Sequence, residues 1–308
     1  MTSSTFDSCL LYNSEALIGL QIDDTLIAAT PKFMEIESRE LNKAGFAAKP
    51  CEKLTTNKPI NFNGFKITLQ HDGALSISQH KQIMKIKLLD SSFTKEQYIE
   101  QRARGAYIAT VSQPQASFNL SHAAQITQPT NKDAETLKRC LSWQLKAGGL
   151  RFVQLDQKSL RLITFTDSSF ANNDDLTSQI GYVIALADAQ NRANILHWKS
   201  VKCRRVTRSV LASELYAMSL GFDVAATIRS SLNQILSSNV SLTICVDSKS
   251  LYDCLVKLGT THEKRLMVDI LAIRQSYERR EIADILWIKG NKNPADAMTK
   301  EKACNALQ

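Results

Sequence analysis

Arg161-Leu162-Ile163-Thr164-Phe165-Thr166-Asp167 is a stretch rich in β-branched and aromatic residues that stops on an acid. That composition over so short a stretch predicts a strand. Working outward, further strands are predicted at about 179–187, 194–199, 241–247 and 283–288. Helices are predicted at about 207–235, 248–257, 264–280 and 294–302. Three strands in a meander are thus followed by alternating helices and strands. The order predicts an α/β unit over residues 160–302, with one mixed five-stranded sheet and helices packed on it.

Asp167 closes the first strand, and Asp247 closes Leu242-Thr243-Ile244-Cys245-Val246. Sites in open α/β sheets gather at strand ends. Either acid alone is equally well a turn residue or a helix cap. Glu214 is more informative. It falls on a stripe with Val210, Ala217, Met218, Gly221, Val224, Ala225 and Ile228 at three- and four-residue spacing, the face of the helix expected to pack on the sheet. A buried carboxylate without a partner is costly and calls for a cation. A divalent ion would serve, and so would Arg204, Arg205 or Arg208 at the edge of the stripe.

Asp296 sits in Asn293-Pro294-Ala295-Asp296. Asn293 as N-cap and Pro294 at N1 place it in a first helical turn. Complementarity to the helix dipole would also account for an acid there. Together, Asp167, Glu214, Asp247 and Asp296 supply hard oxygen ligands from four separate elements. That is the donor set for two Mg²⁺ or Mn²⁺ ions. Two such ions ~4 Å apart support in-line phosphodiester cleavage.

The remaining chain sets bounds. At 308 residues it is long enough for about two domains. Lys and Arg number 38 against 30 Asp and Glu, for a net charge of +8. A basic surface fits a polyanion such as nucleic acid. The seven Cys form no C-x-x-C pair, which argues against a zinc ribbon and suits reduced thiols. No apolar run approaches the ~18 residues that span a bilayer, and the first 30 residues lack a basic segment followed by a signal-like apolar core with a small-residue cleavage site. An intracellular protein, cytoplasmic or nuclear, is expected, neither secreted nor bound to a membrane.

Residues 1–90 mix strand-like runs with one helix. Leu17–Ile22 and Thr25–Ala29 flank Asp23-Asp24 as a hairpin. Pro31 opens a helix over 31–44 that ends at Gly45. Phe62–Leu69 and Leu75–Ser78 form a second hairpin around His71-Asp72-Gly73. Residues 91–150 read as a helical region, with helices at Lys95–Val111, Ser121–Gln125 and Asp133–Leu145. Residues 150–160 read as a linker.

Several segments now carry a resemblance. Thr166-Asp167-Ser168-Ser169-Phe170-Ala171, Ser178-Gln179-Ile180-Gly181-Tyr182-Val183, His197-Trp198-Lys199-Ser200, Ala212-Ser213-Glu214-Leu215-Tyr216-Ala217, Val246-Asp247-Ser248-Lys249-Ser250 and Asn293-Pro294-Ala295-Asp296-Ala297-Met298-Thr299-Lys300 resemble, in order, the RNase H domain of Ty1/copia-type retrotransposon polyproteins. The resemblance implies an RNase H-like fold and a ribonuclease that cuts the RNA strand of an RNA/DNA hybrid with divalent metal. It places the metal-binding, catalytic carboxylates on Asp167, Glu214, Asp247 and Asp296. The partners it implies are the hybrid and the rest of such a polyprotein.

The earlier residues resemble parts of the same polyprotein's reverse transcriptase. Gln21-Ile22-Asp23-Asp24 resembles the paired-Asp hairpin of the palm, making residues 1–90 a partial palm end and 91–150 a thumb or connection. Asp23 and Asp24 would be remnant polymerase ligands, or simply a polar turn. Only 22 residues precede Asp23, so the upstream palm and fingers are expected to be missing and polymerase activity with them. His262 is the one His after His197; it falls on a polar loop and receives no role.

Lys199, Lys202, Arg204, Arg205 and Arg208 fall within ten residues with no acid between them. They are expected to grip phosphates beside the metals, or else to form a solvated loop. Trp198 could stack on nucleic acid or anchor the sheet edge, and core packing is the expectation. Two other readings compete with the nuclease. One is a catalytically inactive relic that at most binds nucleic acid. The other is an integrase or transposase core, which orders its acids Asp, Asp, Glu; here the Glu comes second and a last Asp follows.

Overall fold

Two small sheets come first. In the computed structural model, which describes all residues except 23, 47, 48, 260, 262, 302, 303 and 308, β1 (Thr2–Ser3), β2 (Leu10–Tyr12), β3 (Ala16–Gln21) and β4 (Asp24–Ala29) form an antiparallel sheet in chain order. The hairpin predicted around Asp23-Asp24 is β3–β4, closed by the Gln21–Asp24 pair. Helix α1 (Pro31–Lys43) follows, capped by the Thr30 side chain, and Gly45 beyond it takes φ +74°.

The second sheet pairs β5 (Ile60–Phe62), β6 (Phe65–Leu69), β7 (Leu75–Ser78) and β8 (Leu150–Phe152) in that order. The predicted single strand over 62–69 is in fact cut by a turn. Asn63 and Gly64 take φ +45° and +78°, the left-handed pair that a two-residue hairpin requires. The predicted linker is also structured. Its first residues are β8, and Val153 then exchanges backbone hydrogen bonds of 2.8 Å with the Asn194 side chain.

Between β7 and β8 lie α2 (His80–Ile83), α3 (Lys95–Val111), α4 (Ser117–Ala123) and α5 (Asn131–Lys146). Thr94 and Thr130 open α3 and α5 with capping boxes. The helices share a core of Tyr98, Ile108, Leu120, Leu137 and Leu141.

The third sheet contains β9 (Arg161–Ser169), β10 (Gln179–Ala187), β11 (Ala193–Lys202), β12 (Ser241–Val246) and β13 (Asp284–Trp287), in the order β11-β10-β9-β12-β13. The first three are antiparallel neighbours, whereas β12 runs parallel to β9 and β13 parallel to β12. This is the mixed five-stranded α/β sheet expected from sequence. Helices α6 (Val210–Leu236), α7 (Lys249–Val256) and α8 (Met267–Glu278) flank it.

Strand alternation decides which layer each residue meets. Tyr182, Ile184 and Leu162 pack under α6 with Ala225. Val183 and Phe165 point to the other face, against Ala295, Ala297 and Met298. The predicted helix over 294–302 is only a 3₁₀ turn, Pro294–Met298. Pro294, Ala295, Ala297 and Met298 are all buried. Buried on several sides, the turn packs as a short core element rather than as an amphipathic helix lying on the sheet. Among the described residues, no helix is long and apolar enough to cross a membrane.

Candidate metal centre

The site forms where three elements end together. Antiparallel pairing sets Asp167 opposite Gly181 near the end of β9, and parallel pairing sets Val246 beside Thr166. Asp247, one residue beyond β12, is therefore brought next to Asp167. Helix α6 crosses β9 and β10, and its close seat depends on Gly221. A Cβ there would stand 2.8 Å from Thr166 Cγ2 and 3.2 Å from Thr164 Cγ2. Two turns earlier on the same face, Glu214 reaches the strand ends. One oxygen each from Asp167, Glu214 and Asp247 lie within 4.8 Å of one another.

The electrostatics of this cluster are unfavourable without a cation. Asp167 is 2% exposed and Glu214 4%. Glu214 Oε2 is buried with no hydrogen-bond partner. Desolvation, followed by the nearby Asp167 charge, pushes Glu214 up to about 8. Desolvation pushes Asp167 up to about 6 against the pull of Lys300 and Thr299. Asp247 is raised as well, again chiefly by burial. Three such carboxylates with an orphaned oxygen are a donor set that fits a hard divalent ion. The arginine alternative for Glu214 does not hold. Arg205 instead lies 3.3 Å from Asp269 and 4.8 Å above the Tyr216 ring, and Arg204 is exposed.

Asp296 is not part of the three-carboxylate cluster. Asn293 caps its turn as expected, accepting from the Ala295 amide. The Asp296 carboxylate, however, pairs with Lys300 Nζ, which in turn lies 3.6 Å from Asp167 Oδ2. Thr299 Oγ1 donates to that same Asp167 oxygen. Thr299 and Lys300 are thus neighbours of the site to which sequence reasoning gave no role. The four-residue spacing of Asp296 and Lys300 was the available signal.

The basic cluster is partly engaged by acids from elsewhere. Lys202 pairs with Asp175 and Arg205 with Asp269. Lys199, Arg204 and Arg208 are exposed. Lys199 is on β11, beside the Ser200 that pairs with Gly181, so it stands two strands, ~10 Å, from Asp167. Trp198 donates 2.9 Å to the Ala109 carbonyl and packs in the core below the last turn. It is an anchor, as expected. Asp24 is exposed at the start of β4, while Asp23 and His262 lie outside the described residues.

No protein-family model matches the sequence, and no curated protein does. Among solved structures, the chain is similar to LC11-RNase H1 isolated from compost, at 19% identity over 48% of this chain and 99% of that one, with a TM-score of 0.36. It is similar to RNase H1 from the archaeon Halobacterium salinarum, at 18% identity over 48% and 97%, with a TM-score of 0.35. The prototype foamy virus protease-reverse transcriptase aligns over 86% of this chain and 40% of its own, at 10% identity and a TM-score of 0.29.

Proposed function

We propose that the chain is a divalent-metal-dependent endonuclease that hydrolyses the RNA strand of RNA/DNA hybrids, within a retroelement polyprotein of Ty1/copia type. The observation that carries this reading is the buried, unpartnered Glu214 Oε2 on a residue clustered with Asp167 and Asp247. Mg²⁺ or Mn²⁺ held there supplies Lewis acidity at the scissile phosphate. Asp167 and Asp247 offer the ligand oxygens at the strand ends. Glu214 shares in holding the ion and accepts a hydrogen bond from the attacking water, fixing its direction. Were two ions bound, Asp296 would complete the ligand set of the second.

Lys199, Arg204 and Arg208 meet backbone phosphates, and Lys202 and Arg205 join them by leaving their acids. Hybrid selection then rests on groove shape and 2′-hydroxyls. Residues 1–90 and 91–150 are read as the palm end and thumb or connection of a reverse transcriptase, with Asp23 and Asp24 as remnant ligands. Residues 160–302 form the nuclease, acting inside the cell. The test is incubation of the chain with a hybrid labelled on each strand in turn. RNA cleavage alone is expected, with Mg²⁺ or Mn²⁺, and lost in EDTA and in Asp167→Asn. Equal cutting of duplex DNA would reject the hybrid-specific reading, and no cutting with either ion would favour an inactive relic.

A further inference from the structure

One cation is already present at the carboxylates, and it belongs to the chain. Lys300 Nζ pairs with Asp296 and sits 3.6 Å from Asp167 Oδ2. Asp167 Oδ2 is thereby served on one side by Thr299 and Lys300. In the cluster that Asp167 forms with Glu214 and Asp247, Glu214 Oε2 is buried without a hydrogen-bond partner. Asp167 thus belongs to two groupings: its Oδ2 is served by Thr299 and Lys300, while its cluster with Glu214 and Asp247 holds an oxygen still without a partner.

Lys300 is not needed to hold its own turn in place. Asn293 Nδ2 donates to the Thr166 carbonyl, Ser200 Oγ donates to the Met298 carbonyl, and Ala295, Ala297 and Met298 fill the core beneath. The lysine side chain is 41% exposed, and its flexible stem can carry the ammonium out to solvent. With all four carboxylates ionised, as metal ligation requires, and one ammonium, three negative charges remain before substrate arrives. A single divalent ion nearly balances them, whereas a second beside the ammonium would bring like charges together in a poorly solvated place.

We propose that Lys300 is a built-in substitute for a second divalent ion: its ammonium holds Asp296 against Asp167, so one ion binds tightly and another enters only when the ammonium is displaced. The proposal rests on the metal-centre reading above and deepens it. Asp167, Glu214 and Asp247 take the first ion. Asp296 serves Lys300 until that displacement.

The experiment is calorimetric titration of the intact chain with Mn²⁺ in the absence of nucleic acid, with thermal unfolding to confirm that each variant is folded. The wild type is expected to bind one ion tightly and a second at least about tenfold more weakly. Lys300→Met should strengthen the second ion by about tenfold or more and leave the first in place. Lys300→Arg, which keeps the charge, should retain the wild-type pattern. Asp296→Asn should keep the first ion and lose the second. Two equal ions in the wild type would overturn the proposal, as would an unchanged isotherm or loss of the first ion in Lys300→Met. Should Lys300→Met not fold, the wild type and Lys300→Arg still decide. No binding in any folded variant would instead sink the metal centre itself, and the proposal with it.

Discussion

Asn293 Nδ2 donates a 2.9 Å hydrogen bond to the backbone carbonyl of Thr166, the residue just before Asp167. The last turn of the chain is thereby tied to the central strand 127 residues earlier. The same side chain caps the turn through the Ala295 amide. Asn293→Ala should leave the Thr166 carbonyl and that amide without these partners in a buried place. A loss of about 1–3 kcal/mol is expected, measurable by urea unfolding. Weaker Mn²⁺ binding should accompany it, because Thr299 and Lys300 lose their fixed approach to Asp167.

The titration of the carboxylates sets a pH dependence. Glu214 is pushed up to about 8 and Asp167 to about 6 by burial, above their ordinary 4.5 and 3.8. The folded chain therefore holds these protons more tightly than the unfolded one. Stability linked to them is complete below pH ~4 and falls as pH rises through 6 and then 8. Metal-free thermal unfolding should show this decline, and saturating Mg²⁺ should raise the unfolding temperature more at pH 8 than at pH 5. Glu214→Gln should flatten the upper part of the decline and abolish most of the gain from Mg²⁺. An equal gain at both pH values would contradict the assignment.

Gly221 governs how closely α6 approaches the sheet. Gly221→Ala improves helix propensity by about 1 kcal/mol, yet the added methyl meets Thr166, Thr164 and Tyr182 within 3.3 Å. Overpacking of this kind costs about 1–3 kcal/mol. Net destabilisation is expected, together with weaker Mn²⁺ binding as Glu214 is pushed outward. A variant as stable as the wild type, with unchanged ion affinity, would show that the seat is looser than drawn.

The cationic face should divide into two groups. Lys199→Ala and Arg204→Ala should each lower the salt dependence of hybrid binding by about one unit of slope. Lys202→Ala and Arg205→Ala remove cations already paired with Asp175 and Asp269, so smaller effects are expected. Fluorescence anisotropy over a salt series separates the two outcomes.

Much of the nuclease half was legible because its cues are local. A near-continuous apolar run gave β10 its bounds of 179–187, and helical spacing placed Glu214 on the buried face of α6. What escaped was set by distant partners or by burial. Asp269 reaches Arg205 from 64 residues away, so the basic run looked free of acids. The turn Pro294–Met298 winds as its surroundings dictate, and Lys300, besides its local pair with Asp296, reaches the site through the distant Asp167. The Asn63-Gly64 turn was a plain local signal, hidden because the residues on both sides read as one apolar run.

Anomalous X-ray scattering from crystals of the chain soaked in Mn²⁺ tests the central claim most directly. A peak is predicted about 2.1 Å from oxygens of Asp167, Glu214 and Asp247 together. A well-occupied ion elsewhere on the chain, with Glu214 still lacking any partner, would contradict it.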